Sequence, residues 1–204
     1  MTAAVVTELV KPYITSYAEE ELPLPLAFER ADGVTRLTYR DALPQEWLFQ
    51  VLWARCGTAR TGRIQWKLVH TLRQRRCMIH GLCRVCGQPA ADPDTGRISW
   101  VLPATVAADF RSPWPTAHPP TCKAHVTESL AACPYLRRQA PLVCTAGDYT
   151  PIGVLANVYG QDDGGRVVET RHQTPVALGD LPLLRRAVAT QLIVRVTDLQ
   201  RAPS

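Results

Sequence analysis

Four residues in two tight pairs, Cys83-Arg-Val-Cys86 and Cys122-Lys-Ala-His125, constrain this chain more than any other feature. Two residues between ligands let both side chains of a pair reach one ion, and Gly87 after the first pair permits the sharp turn that aims both sulfurs inward. Cys83, Cys86, Cys122 and His125 are therefore expected to hold one structural Zn²⁺. A closed four-ligand site has no open position for catalysis, so the metal is expected to organise the fold. The chain holds seven cysteines, an odd number with uneven spacing and no evident export leader. That pattern favours thiolate–metal chemistry in a reducing cytoplasm over a disulfide framework.

Alternatives are defined by the other cysteines. An iron–sulfur cluster would need Cys77 or Cys133 beside Cys83, Cys86 and Cys122. Cys56 and Cys144 read as packing residues, and His118 is the one substitute for His125. A knuckle followed later by a pair that opens a helix resembles the treble-clef class of zinc sites. Nucleases built on that class place a His beside an acidic residue between the ligand pairs, and the interval here offers only His118 next to Pro119. No phosphate-binding Gly-rich loop, Gly-x-Ser-x-Gly elbow or His-Glu-x-x-His motif is present. A non-enzymatic protein is expected.

Charge adds a second constraint. Residues 47–91 carry eight cations (Arg55, Arg60, Arg63, Lys67, Arg73, Arg75, Arg76 and Arg84) and no Asp or Glu, which leaves the rest of the chain net acidic. Read as a helix over 63–79, this segment puts Ile64, Leu68, Val69, Leu72 and Ile79 on one face. Arg63, Trp66, Lys67, His70, Arg73 and Gln74 fall on the other. Such a face suits phosphate contacts from Arg63, Lys67, Arg73 and Arg76 with stacking by Trp66 on DNA or RNA. A regulatory nucleic-acid-binding protein is the leading expectation. The alternative is an adaptor, or a subunit of a larger assembly, whose zinc stiffens a docking surface. No apolar run approaches the roughly 20 residues that a membrane helix needs.

The expected architecture is α+β, with small sheets and helices around the zinc core. Residues 1–22 read as a flexible arm. Residues 23–139 hold a hairpin about Ala31-Asp32-Gly33, a helix capped by Asp41 with Trp47, Leu48, Val51 and Leu52 on its apolar face, the basic helix, and the zinc core with a strand at 98–102. Residues 140–204 read as a βββα unit packed on the same domain, in which QLIVRV fits helix or strand equally. The run RTGRIQWKLVHTLRQRRCMIHGLCRVCGQP, with PPTCKAH and ACPYL, resembles small zinc-motif proteins of high-GC actinobacteria. Many of those have Cys in place of His125. The resemblance implies the metal site and no activity.

Overall fold

The structure, a computed structural model, describes residues 11–31, 33–102, 113–132, 138 and 141–202. Its spine is a pair of long antiparallel strands, β9 (Leu142–Gln161) and β11 (Ala187–Arg201), in register from Ala187↔Val158 to Arg201↔Cys144. Each outer edge of this pair is shared by two shorter strands. Beside β9 lie β7 (Ile98–Leu102), along its first half, and β10 (Val167–Ala177), along its second. Beside β11 lie β5 (Val51–Trp53), in parallel, and β8 (Trp114–Thr116), antiparallel. The two-residue strand β4 (Trp47–Leu48) completes the sheet beyond β5.

Alternation explains which face is buried. Leu142, Cys144 and Ala146, then Val154, Ala156 and Val158, point from β9 into one core with Trp53, Trp100, Leu102, Leu192 and Val194. Two of the three strands expected in the C-terminal unit, which would need a turn between them within residues 141–160, are one continuous strand, β9. Gly147 serves there as a close-approach position, since a Cβ on it would lie 2.3 Å from Asp198 Oδ2. Pro151, which has no N–H for the ladder, sits where the register with β11 shifts.

Helix α1 (Thr71–His80) closes one side of this core through Met78 and Gln74. Gln74 fills a break in the sheet: between the residues of β11 paired with β5 and with β8, Leu192 has no strand neighbour on that edge among the described residues. The Gln74 side chain takes that place, accepting from Leu192 N at 2.9 Å and donating to Leu192 O at 3.0 Å and Ala117 O at 2.9 Å. One side-chain amide thus substitutes for a residue of strand backbone.

A separate hairpin, β2 (Leu26–Ala31) with β3 (Val34–Tyr39), is paired residue for residue as its alternation predicts. It packs Leu37 and Tyr39 on Leu52, Tyr159 and Val188. The remaining ribbon joins β1 (Thr15–Tyr17) to β6 (Ile64–Val69). Further helices among the described residues include α2 (Lys123–Ala132) and the single turn α3 (Leu181–Leu184). No helix among the described residues is long and apolar enough to cross a membrane.

An α+β description holds, with strands dominant. Several expectations need correction. The helix expected from Asp41 is the β4–β5 hairpin: Trp47↔Leu52 and Leu48↔Val51 face one another across Phe49-Gln50, so the spacing that suggests one helical face equally suits a two-residue turn. Asp41 binds Arg55 Nη1 at 2.9 Å and caps nothing. The basic segment is half strand and half helix, broken at His70. In the C-terminal unit QLIVRV lies in β11, and the expected last helix ends after one turn. Strands from before residue 140 share the sheet with β9, β10 and β11, so the division at 139/140 marks no structural boundary. The arm is not free over 11–22. β1 is paired, and Glu20 is buried against Arg73; residues 1–10 lie outside the described residues.

Candidate metal centre

The knuckle begins where α1 stops. Gly81, in the left-handed region at φ 62°, ends the helix and gives its N–H to Cys77 O. Two residues later Cys83 N donates to Gln88 O at 2.7 Å and Gly87 N to Cys83 O at 2.8 Å, which folds Cys83 to Gln88 into a tight loop. Gly87 adopts φ +74°, and a Cβ there would meet the Tyr13 ring at 3.0 Å, so conformation and space both call for glycine. The loop is held from two sides: Tyr13 N donates to Val85 O at 2.9 Å and Arg84 N to Pro120 O at 2.8 Å. The second contact, with Thr121 N to Ser99 O at 2.9 Å, brings the start of α2 against the knuckle.

Cys83, Cys86, Cys122 and His125 converge, their donor atoms all within 4.8 Å of one another. Cys86 Sγ and Cys122 Sγ are 4.0 Å apart, and Cys122 Sγ is 3.0 Å from His125 Nδ1. Ligand atoms at ordinary Zn–S distance in a tetrahedron lie about 3.8 Å apart, so the group is the size of a tetrahedral ion site. Cys83 is fully buried and the other three are half-buried. Burial pushes the Cys83 thiol up, but the N–H groups of Cys122, Cys86 and Val85 aimed at its sulfur outweigh burial and hold it below the usual thiol value. Cys122 is pushed up to about 12, first by burial and then by Cys83. Three sulfurs this close cannot all be thiolates without a cation between them, and the donor set therefore fits a divalent metal. On its far side His125 turns Nε2 toward Glu128 Oε2, 3.8 Å away, where a carboxylate would orient the ring.

Among the described residues, the other sulfurs and His118 stay outside the cluster. Cys77 is a buried residue of α1 with its sulfur 3.8 Å from Cys83 O, Cys144 lies in the sheet core, and Cys133 falls outside the described residues. His118 is exposed, and its carbonyl accepts from Trp100 Nε1 at 2.8 Å. Cys56 is half-buried just after β5.

The basic residues do not form one face. Arg73 is buried: its Nη1 and Nη2 donate to the Glu20 carboxylate at 2.6 and 2.7 Å, and Nη2 also donates to Thr15 O. Glu20 further accepts from Tyr17 N and Arg60 N. His70 is buried beside the pair; its Nδ1 accepts from Arg73 N and its Nε2 bonds Gly57 O at 2.8 Å. Arg73 is therefore not a nucleic-acid contact, and Gln74 and His70 are not surface groups either. A 3.6-residue period assigned the wrong side because the chain changes from strand to helix midway. Arg63, Trp66, Lys67 and Arg76 are exposed, with Arg76 reaching Tyr13 Oη at 3.0 Å. In the β1–β6 ribbon Thr15 faces Val69 while Ser16 faces Gln65. Trp66, Lys67 and Leu68 thus have no opposite residue on β1, and Trp66 and Leu68 are each 53% exposed.

The roles of Glu20, which pairs with Arg73, and of Gln74, which fills the sheet edge, were not legible in the sequence. The one available signal was that an acidic run, Glu19 to Glu21, precedes a long segment rich in cations and free of acids. No family model, curated protein or solved structure matches the chain.

Proposed function

We propose that this chain is a non-enzymatic, zinc-stabilised nucleic-acid-binding protein of regulatory type. Zn²⁺ is the metal that best suits three Cys and one His with no position left open. When bound, it supplies structural cross-linking between the knuckle and α2. The observation that carries the nucleic-acid reading is the bulge in β6, which leaves Trp66 and Lys67, consecutive in the chain, both exposed on the ribbon. Trp66 would stack on a base, Lys67 and Arg63 would meet phosphates, and Arg76 lies near the knuckle end of the same ribbon. Arg60 supports the ribbon, its guanidinium 5.8 Å from the Tyr13 ring centroid and 5.7 Å from that of Tyr17. The contact set is thus Arg63, Trp66, Lys67 and Arg76, without Arg73.

A second reading, docking to a protein, is favoured by Leu68, as exposed as Trp66 and two residues from it. Salt separates the two, because phosphate contacts release counterions and apolar docking does not. The test is a titration of the metal-loaded protein with duplex and single-stranded oligonucleotides at two salt concentrations. Beside it runs a variant with Arg63→Ala, Trp66→Ala and Lys67→Ala, which spares the buried Glu20–Arg73 pair. Wild-type affinity should fall by about an order of magnitude or more from 50 to 200 mM salt, and the variant should lose it. An absence of wild-type binding at low salt would overturn the proposal and favour the protein partner.

A further inference from the structure

A cleft of about 730 Å³ opens between the segment from Asp41 to Glu46, the end of β5 and α1, away from the metal centre. Its walls are largely apolar: Leu22, Leu43, Ala54, Cys56 and Leu72, over the buried ring of Trp53. Two arginines line it, and they differ in one respect. Arg55 is saturated, with Asp41 Oδ1 at 2.9 Å from Nη1, both Glu46 carboxylate oxygens on Nε and Nη2, and its guanidinium carbon 4.1 Å from the Tyr39 ring centroid. Arg75 is half-buried on the Trp53 ring at 4.7 Å, and its Nη1 is buried with no hydrogen-bond partner. No carboxylate among the described residues pairs with it; Asp41 and Glu46, the acids of the cleft, are both spent on Arg55.

A guanidinium partly removed from water without an acceptor is costly; Nη1 itself is closed to the cleft, so a ligand would meet the half-exposed remainder of the Arg75 guanidinium and supply the missing anion there. The cleft has the size of a small-molecule site, and one fork-shaped cation among aliphatic walls suits one planar carboxylate on an apolar body. A phosphate would bring more oxygens and charge than one free guanidinium can satisfy. We infer that this cleft binds a small amphipathic monocarboxylate, with the carboxylate on Arg75 and the apolar chain along Leu22, Leu43 and Leu72. This site is independent of the ribbon and of the zinc.

The test uses calorimetric titration of the metal-loaded full chain with octanoate and with octanamide, its uncharged counterpart. Octanoate should bind roughly tenfold or more tightly than octanamide, the ratio expected of a charge-assisted hydrogen-bonded pair. Arg75→Gln should bring octanoate down to the level of octanamide and leave octanamide unchanged. Octanoate should also slow alkylation of Cys56 by iodoacetamide, read by peptide mass mapping. Equal binding of the two compounds, no octanoate binding at millimolar concentration, or no protection of Cys56 would each overturn the assignment. The comparison of the two probes and the protection of Cys56 are made on wild-type protein, so they stand even if the Arg75 variant fails to fold.

Discussion

At the scale of single residues, the Glu20–Arg73 pair decides how the N-terminal segment is held. Burial alone would raise the Glu20 carboxyl, but the hydrogen bonds from Arg73 and Tyr17 N outweigh it and hold the group below its ordinary 4.5. Burial, with the charge of Arg73, also holds His70 below its ordinary 6.5. In both cases the unfolded chain takes up protons that the folded protein does not bind. Stability should therefore be complete above about pH 6.5, decline as His70 protonates in the unfolded state, and decline further below about pH 4.5 as the Glu20 contribution is lost. Glu20→Gln should destabilise the protein by about 3–5 kcal/mol at neutral pH, because Arg73 would be left buried without its charge partner. Urea denaturation across pH should show the difference between variant and wild type shrinking as pH falls below about 4.5, where Glu20 protonates first in the unfolded chain and, lower still, in the folded protein. A difference that stays constant would mean that the pair contributes shape and not charge.

At the scale of elements, the turn Phe49-Gln50 shows how backbone and side-chain demands can conflict. Both residues have positive φ, 54° and 60°, which a two-residue hairpin turn requires and which side chains resist. Phe49 packs against the core and so has a reason to be there; Gln50 is exposed and does not. Gln50→Gly should stabilise the fold by roughly 0.5–1 kcal/mol, measured as a shift of the urea midpoint at unchanged slope. The same hairpin shows why part of the fold was hidden. Apolar residues at 47, 48, 51 and 52 satisfy a helix and a hairpin alike, and Asn-Gly, the usual turn signature, is absent. The β2–β3 hairpin was legible because strict alternation brackets a glycine turn, and β7 because a turn signal precedes a short apolar run.

At the scale of the whole molecule, the large sheet and the metal centre contribute separately to stability. The core around Trp53, Trp100 and Leu192 is built without any residue of the cluster, whereas the knuckle, α2 and residues 13–14 meet at the cluster. Chelation should release about one Zn²⁺ per chain, as a closed four-ligand site demands. It should leave the strand signal in the far-ultraviolet dichroism largely intact, while amide exchange accelerates at Tyr13, Ile14, residues 83–88 and α2. Loss of the whole sheet on chelation would show instead that the metal governs the entire fold. Iron in place of zinc would overturn the choice of metal.

The ligand set was readable in the sequence because metal binding needs particular atoms at short spacing, and two such pairs are rare by chance. The sequence also carried the concentration of positive charge, since charge is a sum over residues and needs no geometry. It could not carry the fate of each cation. Arg63, Arg73 and Arg75 look alike in the chain, yet one is exposed, one is buried on Glu20, and one lies on Trp53 with no anion beside it among the described residues. Those fates depend on partners 53 residues away for Arg73 and on a break from strand to helix at His70. Only the tertiary structure decided them, because burial and pairing are properties of what the rest of the chain brings alongside.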